Sequence, residues 1–124
     1  MRAVLESIAY QTLDVTEAMA AAGRPVTELR VDGGASVNDW LMQFQSDLLG
    51  VPVDVAATLE ATGLGAAFCA GLAAGLWNDQ AEVARLRASG RRFEPDPGRV
   101  DRPRGHARWK EAVERARHWV VAPR

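Results

Sequence analysis

The sequence contains a single cysteine, Cys69, which excludes a scaffold held together by intrachain disulfides. Its first residues lack the unbroken apolar segment of a secretory signal, because Met1 and Arg2 lead into mixed apolar, acidic and polar positions. Disorder throughout is excluded by a hydrophobic content of 48% and a net charge of only -1. With 124 residues, the chain is predicted to form one α/β domain of modest size in the cytoplasm.

Lysine is nearly absent, and charge is divided unevenly along the chain. Lys110 is the only lysine among 15 basic residues. Residues 1–84 carry 3 basic and 11 acidic side chains, whereas residues 85–124 carry 12 basic and 5 acidic ones. Such a division of charge can mark an arm that binds nucleic acid, or two parts of one surface that attract each other. It can also reflect a general use of arginine in place of lysine. Because an aromatic-rich strand and zinc-ligand spacing are both lacking, the sequence predicts no nucleic-acid partner.

Long hydrophobic runs are also missing. The most apolar segment, residues 61–77, is at the short limit for crossing a bilayer of about 30 Å, and Thr62 and several glycines lower its hydropathy. The segment therefore predicts a buried helix and no membrane span. Cys69 lies within it and is predicted to be a buried small apolar residue, not a nucleophile.

The spacing of apolar residues predicts five helices and two short strands, a mostly helical α/β arrangement. The first helix has its apolar stripe from Val4 to Met19 and continues to Ala22, about 20 residues in all, and Gly23 followed by Pro25 would end it. Ser36 stands at the N-cap position of the second helix, with Asp39 completing an approximate capping box. The other predicted helices cover residues 37–49, 63–77, 80–87 and 107–121, the strands cover 28–31 and 51–55, and 91–106 form an irregular exposed connection.

The segment most informative about function is the turn from Asp32 through Gly33 and Gly34, which joins the first strand to the second helix. Two adjacent glycines remove the β-carbons with which a ligand would otherwise collide. The following helix would direct free N–H groups and its positive dipole end at that ligand, which suits phosphate or ribose oxygens. Asn38 would place an amide beside the turn. On the glycine pair alone, a plain tight turn is the simpler interpretation.

Other chemistry-bearing patterns are absent from the sequence. The turn matches neither the phosphate-binding loop GxxxxGK[ST] nor the full dinucleotide-binding fingerprint. His106 and His118 have no cysteine partners at metal-ligand spacing, so no metal site is predicted. The residues by themselves therefore support an α/β domain with a potential nucleotide contact.

Several segments, taken in order, resemble one enzyme family. The segments are LESIAYQT at 5–12, LRVDGGA at 29–35, LMQFQSD at 41–47, GAA at 65–67, AGL at 70–72, WK at 109–110 and AV at 112–113. Together they resemble the later part of the C-terminal domain of glycerol kinases, which are carbohydrate kinases of the FGGY type. The resemblance is weakest over residues 91–108, where His106 stands in place of an expected tyrosine.

This resemblance implies a fold, a reaction and two binding residues. The fold would be part of a ribonuclease-H-like, actin-like ATPase domain, with residues 1–124 belonging to the nucleotide-side domain. The reaction would be Mg-ATP-dependent phosphorylation of glycerol to sn-glycerol 3-phosphate in the intact enzyme. By position, Gly34 would contact ATP or ADP and Asn38 its adenosine part, while Asp32 and Gly33 would shape the turn.

The resemblance also implies what this chain lacks. The catalytic aspartate and the residues that contact glycerol lie upstream in family members, so no catalytic residue is expected here, and the chain alone is expected to be inactive. Met1 directly before the first helix predicts a truncated or mis-started reading frame, or a split gene. The alternatives are a non-catalytic module that complements a separate N-terminal kinase piece, and a fragment of a pentulose or hexulose kinase. A homo-oligomer, an unpaired strand edge and an exposed apolar helix face are further expectations.

Overall fold

A computed structural model of the protein describes residues 2–58, 60–86 and 89–117, with no description of the Ser89 side chain. These residues form a mostly helical α/β structure, as the sequence predicted. The helices are α1 (Arg2–Ala21), α2 (Asp39–Leu49), α3 (Ala61–Ala73), α4 (Gln80–Arg85) and α5 (Arg102–Arg117). The strands are β1 (Leu29–Val31), β2 (Val53–Ala56) and β3 (Ser89–Phe93), and single 3-10 turns cover Gly34–Val37 and Pro97–Arg99.

The three strands form one small mixed sheet with β2 at its centre. β1 pairs with β2 in parallel, so that Leu29 lies opposite Val53. β3 pairs antiparallel on the other side of β2, with Phe93 also opposite Val53. Because parallel neighbours need a crossover connection, α2 links β1 to β2. The outer edges of β1 and β3 have no partner among the described strands.

The hydrophobic core lies on both sides of α2, between α1 and the sheet. Asn38 caps the start of α2 by accepting a hydrogen bond from the Leu41 N–H at 3.0 Å. Gly50 ends the helix with a positive φ of 72°, a conformation that glycine adopts without strain. Among the described residues, the buried apolar side chains of the core come from α1, α2 and β2, and they are Ala9, Leu13, Leu41, Met42, Leu48, Leu49, Val53 and Val55.

Polar contacts around Asp14 join α5 to α1, beside the stacked rings of Tyr10 and Trp109. The Nε2 atom of His106 lies 2.7 Å from one Asp14 oxygen, and the Nε1–H of Trp109 donates to the other at 2.7 Å. His106 is buried, although most of α5 is exposed. Burial by itself would raise the pKa of the Asp14 carboxyl, but the two hydrogen bonds outweigh it and hold the pKa below its ordinary value.

Asp14 is expected to make the stability of the chain depend on pH. Since its pKa is lower in the folded chain than in the unfolded one, the ionised form favours folding. This contribution is present above about pH 4, the ordinary range of an aspartate, and is lost as the pH falls through the folded pKa. Asp14→Asn should therefore lower the thermal midpoint at pH 7 and have a smaller effect at pH 3.

The matched control is Glu60→Gln, which removes an exposed carboxylate. Its effect on the thermal midpoint should be small at both values of pH. An Asp14→Asn effect that is the same at neutral and acid pH would contradict the assigned role of the ionised carboxylate.

The prediction of two strands and an irregular segment over 91–106 was wrong in part. β3 occupies Ser89–Phe93, and α5 begins at Arg102 instead of Ala107, leaving the irregular connection between them. The local sequence of β3 has no alternating apolar pattern, so its conformation depends on pairing with β2. Of the predicted C-terminal helix, residues 118–121 lie outside the described residues.

Proline and glycine at the start of α5 explain the misplaced helix boundary. Pro103 lies in the first helical turn, where its missing N–H breaks no helical hydrogen bond. Gly105 packs closely against Tyr10, and a β-carbon there would overlap the Tyr10 hydroxyl unless that side chain moved. Both residues are therefore compatible with a helix, although their sequence pattern predicted a loop.

The prediction that residues 63–77 form a buried helix was also wrong. α3 is helical, but Gly71 is its only buried residue, and Cys69 is exposed. Nothing among the described residues covers most of this apolar helix. α1 likewise exposes large apolar side chains, including Val4 and Val15, which confirms the expected apolar surface. None of the helices in the described ranges is long and apolar enough to span a membrane.

Candidate functional site

The predicted turn is held in one shape by backbone and side-chain hydrogen bonds. Gly33 has a φ of 82° and a ψ of 179°, which favours glycine at this position. Its carbonyl accepts from the Ser36 N–H at 3.1 Å and from the Ser36 hydroxyl at 2.7 Å. Ser36 is 1% exposed, so these bonds are protected from water. The turn is therefore a defined structure at the end of β1.

The predicted capping arrangement was wrong by two residues. Gly34–Val37 form a 3-10 turn, and α2 begins at Asp39 with Asn38 as its N-cap. Ser36 instead closes the turn back onto Gly33. The side-chain oxygen of Asn38 is used by the cap, which leaves its amide N–H₂ group without an acceptor among the described residues. Asn38 can thus still donate a hydrogen bond to a ligand.

The glycine pair leaves open space where side chains would otherwise stand. A β-carbon built at Gly33 or at Gly34 would meet no atom within 4 Å. Asp32 and Gly34 are exposed, whereas Gly33 and Asn38 are partly buried. Asp32 precedes the pair at the end of β1. The structure therefore brings all four predicted residues together, and no neighbouring side chain fills the space beside the glycines.

Arg91 also belongs to this region, and sequence reasoning missed it. It reaches the turn from β3, donates from Nη2 to the Ser36 carbonyl at 2.8 Å and forms an ion pair with Asp39. The sequence predicts an irregular connection at residue 91 and gives no signal that this residue lies beside the turn. Only the pairing of β3 with β2 brings it there.

The cavities described in the structure lie elsewhere. A mostly apolar cavity of about 420 Å³ lies beside α3 and α4, where Leu64 and Phe68 contribute to its wall. A second cavity of about 330 Å³ is lined by aromatic and charged side chains, among them Tyr10, Trp40 and Arg99. Neither cavity is lined by Asp32, Gly33, Gly34 or Asn38. The open side of the turn therefore faces outward from the described part of the chain.

Solved structures identify the fold. A Plasmodium falciparum glycerol kinase with ADP superposes with a TM-score of 0.73 and 35% sequence identity, over 92% of this chain and 23% of that one. Gluconate kinase from Lactobacillus acidophilus gives a TM-score of 0.81 at 21% identity, over 95% and 24% of the two chains. At that identity the second comparison concerns the fold alone. The architecture is that of part of a carbohydrate kinase.

Sequence comparison places the chain in a family within this class. The profile of the C-terminal domain of the FGGY family of carbohydrate kinases matches residues 1–74. This chain therefore belongs to the FGGY family of carbohydrate kinases. The match includes the whole glycine turn and α2.

Among curated relatives, the similar proteins are glycerol kinases. Glycerol kinase 2 of Thermotoga maritima is 56% identical over 120 residues, which is 96% of this chain and 24% of the relative. Glycerol kinase of Dechloromonas aromatica is 54% identical over 122 residues, again 24% of its length. The chain thus spans about a quarter of these relatives and corresponds to a C-terminal portion of them.

Proposed function

We propose that this chain is the nucleotide-side portion of a glycerol kinase, an enzyme that phosphorylates glycerol to sn-glycerol 3-phosphate with ATP. The observation that carries the proposal is the 54–56% identity to glycerol kinases over 96–98% of the chain. The xylulose kinase and gluconate kinase structures are only 21% identical to this chain, so their likeness concerns the fold and gives no support for a pentulose or hexulose substrate. The place of action would be the cytoplasm.

Within this function, the glycine turn would hold the adenine nucleotide. Gly34 would allow the nucleotide to approach the backbone, because its β-carbon position is open. Asn38 would donate its free amide N–H to the adenosine part, while its oxygen keeps α2 capped. Asp32 and Gly33 would shape the turn without contacting the reacting phosphate. A similar protein, the Plasmodium falciparum glycerol kinase, has been solved with ADP, which supports a nucleotide as the ligand.

The chemical step itself would depend on residues outside this chain. Phosphoryl transfer requires a positioned nucleophile and electrostatic stabilisation of the phosphates on all sides. Among the described residues, no group of three or more His, Cys, Asp or Glu side chains could hold a metal ion. We propose that Mg²⁺ accompanies the ATP phosphates and that the catalytic base and the glycerol contacts come from the preceding part of a kinase.

The chain by itself is expected to show no ATP-dependent phosphorylation of glycerol. Mixing it with the remaining three quarters or so of a glycerol kinase should restore activity, since this chain corresponds to only 24% of such a relative and the proposed catalytic residues come from the rest. The measurement is a coupled ADP-release assay with glycerol, repeated with a pentulose to test the substrate. The uncovered apolar surfaces of α1 and α3 are the surfaces that such a piece would cover.

Two results would contradict this proposal in different ways. Turnover by the chain alone would show that the catalytic base is not missing. If no mixture of the two folded pieces restores activity, the chain does not complement a separate kinase piece. It would then act only as part of one continuous polypeptide. A homo-oligomer without the second piece would be recognised by its mass in solution and by its lack of activity.

A further inference from the structure

Arg91 connects two parts of the candidate site that are far apart in sequence. Its Nη2 atom donates to the carbonyl of Ser36 at 2.8 Å, across 55 positions of the chain. Its Nη1 atom forms an ion pair with Asp39, the first residue of α2. The guanidinium also lies over the ring of Phe93, 5.9 Å from its centroid. One side chain therefore contacts both the 3-10 turn and the start of the helix that follows it.

A hydrogen bond to the Ser36 carbonyl restrains the shape of the turn. The N–H and the hydroxyl of Ser36 both donate to the Gly33 carbonyl, so this buried residue fixes the glycine pair from one side. Arg91 holds the same residue by its carbonyl from the other side. A continuous series of hydrogen bonds thus runs from Arg91 through Ser36 to Gly33.

The exposure of these groups indicates that Arg91 acts on geometry more than on overall stability. The side chains of Arg91 and Asp39 are 43% and 66% exposed, and ion pairs so exposed contribute little to the free energy of unfolding. A guanidinium, however, has a planar fork of donors in fixed directions. It can orient a carbonyl and a carboxylate together, which a lysine ammonium cannot do in the same way.

We propose that Arg91 is a positioning residue for the nucleotide, which holds the turn in the shape that keeps Gly34 and Asn38 ready to receive it. The inference rests on the proposed function, because it assumes that the turn binds a nucleotide. Arg91 itself does not contact the nucleotide in this proposal. Its effect passes through Ser36 and Asp39 to the two binding residues.

The test compares Arg91→Ala and Arg91→Lys with Arg92→Ala in the 124-residue chain. Arg92 is the adjacent residue on β3, has a similarly exposed side chain and pairs with Glu28 and Glu94. It therefore controls for losing an exposed arginine from the same strand. The probe is ADP, and its dissociation constant is measured for each variant beside the thermal midpoint.

Hydrogen exchange of backbone amides provides a readout that needs no nucleotide. The Ser36 and Asn38 N–H groups both donate within the turn, to the carbonyls of Gly33 and Ala35. Their exchange should become faster in Arg91→Ala, while that of Gly50 N–H, which donates to Ser46 at the far end of α2, should not change. Arg92→Ala should change none of these three rates.

For Arg91→Ala we expect ADP binding to weaken about tenfold at an unchanged thermal midpoint, a factor within the range of a charge-assisted hydrogen bond. Arg91→Lys should recover part of the affinity by restoring one contact. Equal affinities for Arg91→Ala and Arg92→Ala would overturn the proposal, and so would unchanged exchange at Ser36 and Asn38. If the wild-type chain fails to bind ADP, the assignment of the turn as a nucleotide site of this chain is contradicted, whereas the exchange rates still decide whether Arg91 holds the turn.

Discussion

Replacing Gly34 with leucine is expected to weaken ADP binding by roughly 100-fold, or about 3 kcal/mol, while the chain folds as the wild type does. The new side chain would enter the open space that we assign to the nucleotide, where none of the described residues, adjacent ones apart, has an atom within 4 Å of the β-carbon. Gly34 does not have a positive φ, so its backbone accepts leucine without strain. The measurement is an ADP titration followed by amide chemical shifts, beside a thermal melt.

The matched control is Gly63→Leu in α3. Gly63 also lacks a positive φ and has no atom within 4 Å of its β-carbon position, but it lies outside the turn. ADP affinity should therefore stay at the wild-type value in this variant. If Gly34→Leu also binds ADP normally, the turn is not the nucleotide site, and the open space beside it has no role in binding.

Truncation of Leu48 is expected to produce the largest loss of stability of any variant considered. Leu48 is 0% exposed and lies in the core where α2 packs between α1 and β2. Leu48→Ala should lower the free energy of unfolding by about 2–5 kcal/mol, through the lost transfer energy and the cavity left behind. Domains of this size have only about 5–15 kcal/mol in total. Urea unfolding followed by circular dichroism measures the change.

An exposed leucine provides the control for this substitution. Leu76 is 71% exposed, so Leu76→Ala removes the same atoms without opening a cavity. Its effect should remain within about 0.5 kcal/mol. Equal losses for the two variants would mean that Leu48 is not in a packed core, and the arrangement of α2 between α1 and the sheet would then be wrong.

The elements that the sequence predicted well are those whose signals lie within a few residues. α1 and α2 have apolar residues at helical spacing, and Gly23 and Gly50 follow their ends with φ values of 77° and 72°. β1 and β2 were predicted close to their observed positions, because the signals for these strands also lie within a few residues. β3 was missed, because its only support is pairing with β2 from more than thirty residues away.

The candidate site was predicted only in part. Gly33, Gly34 and Asn38 could be found because they adjoin the end of a predicted strand, although Ser36 was assigned the capping role that belongs to Asn38. Both are good N-cap residues, and local sequence does not decide between them. Arg91 could not be found, since its place beside Ser36 depends on β3.

The sequence by itself determined the local shape of this protein and its membership of a kinase family. Glycine, asparagine and apolar spacing act over one or two helical turns, so they fix where α1 and α2 end and where the open turn lies. Only the tertiary structure decided that α3 is uncovered, that Gly105 packs against Tyr10, and that Arg91 reaches the turn. These features depend on contacts between distant residues, which local preferences do not specify.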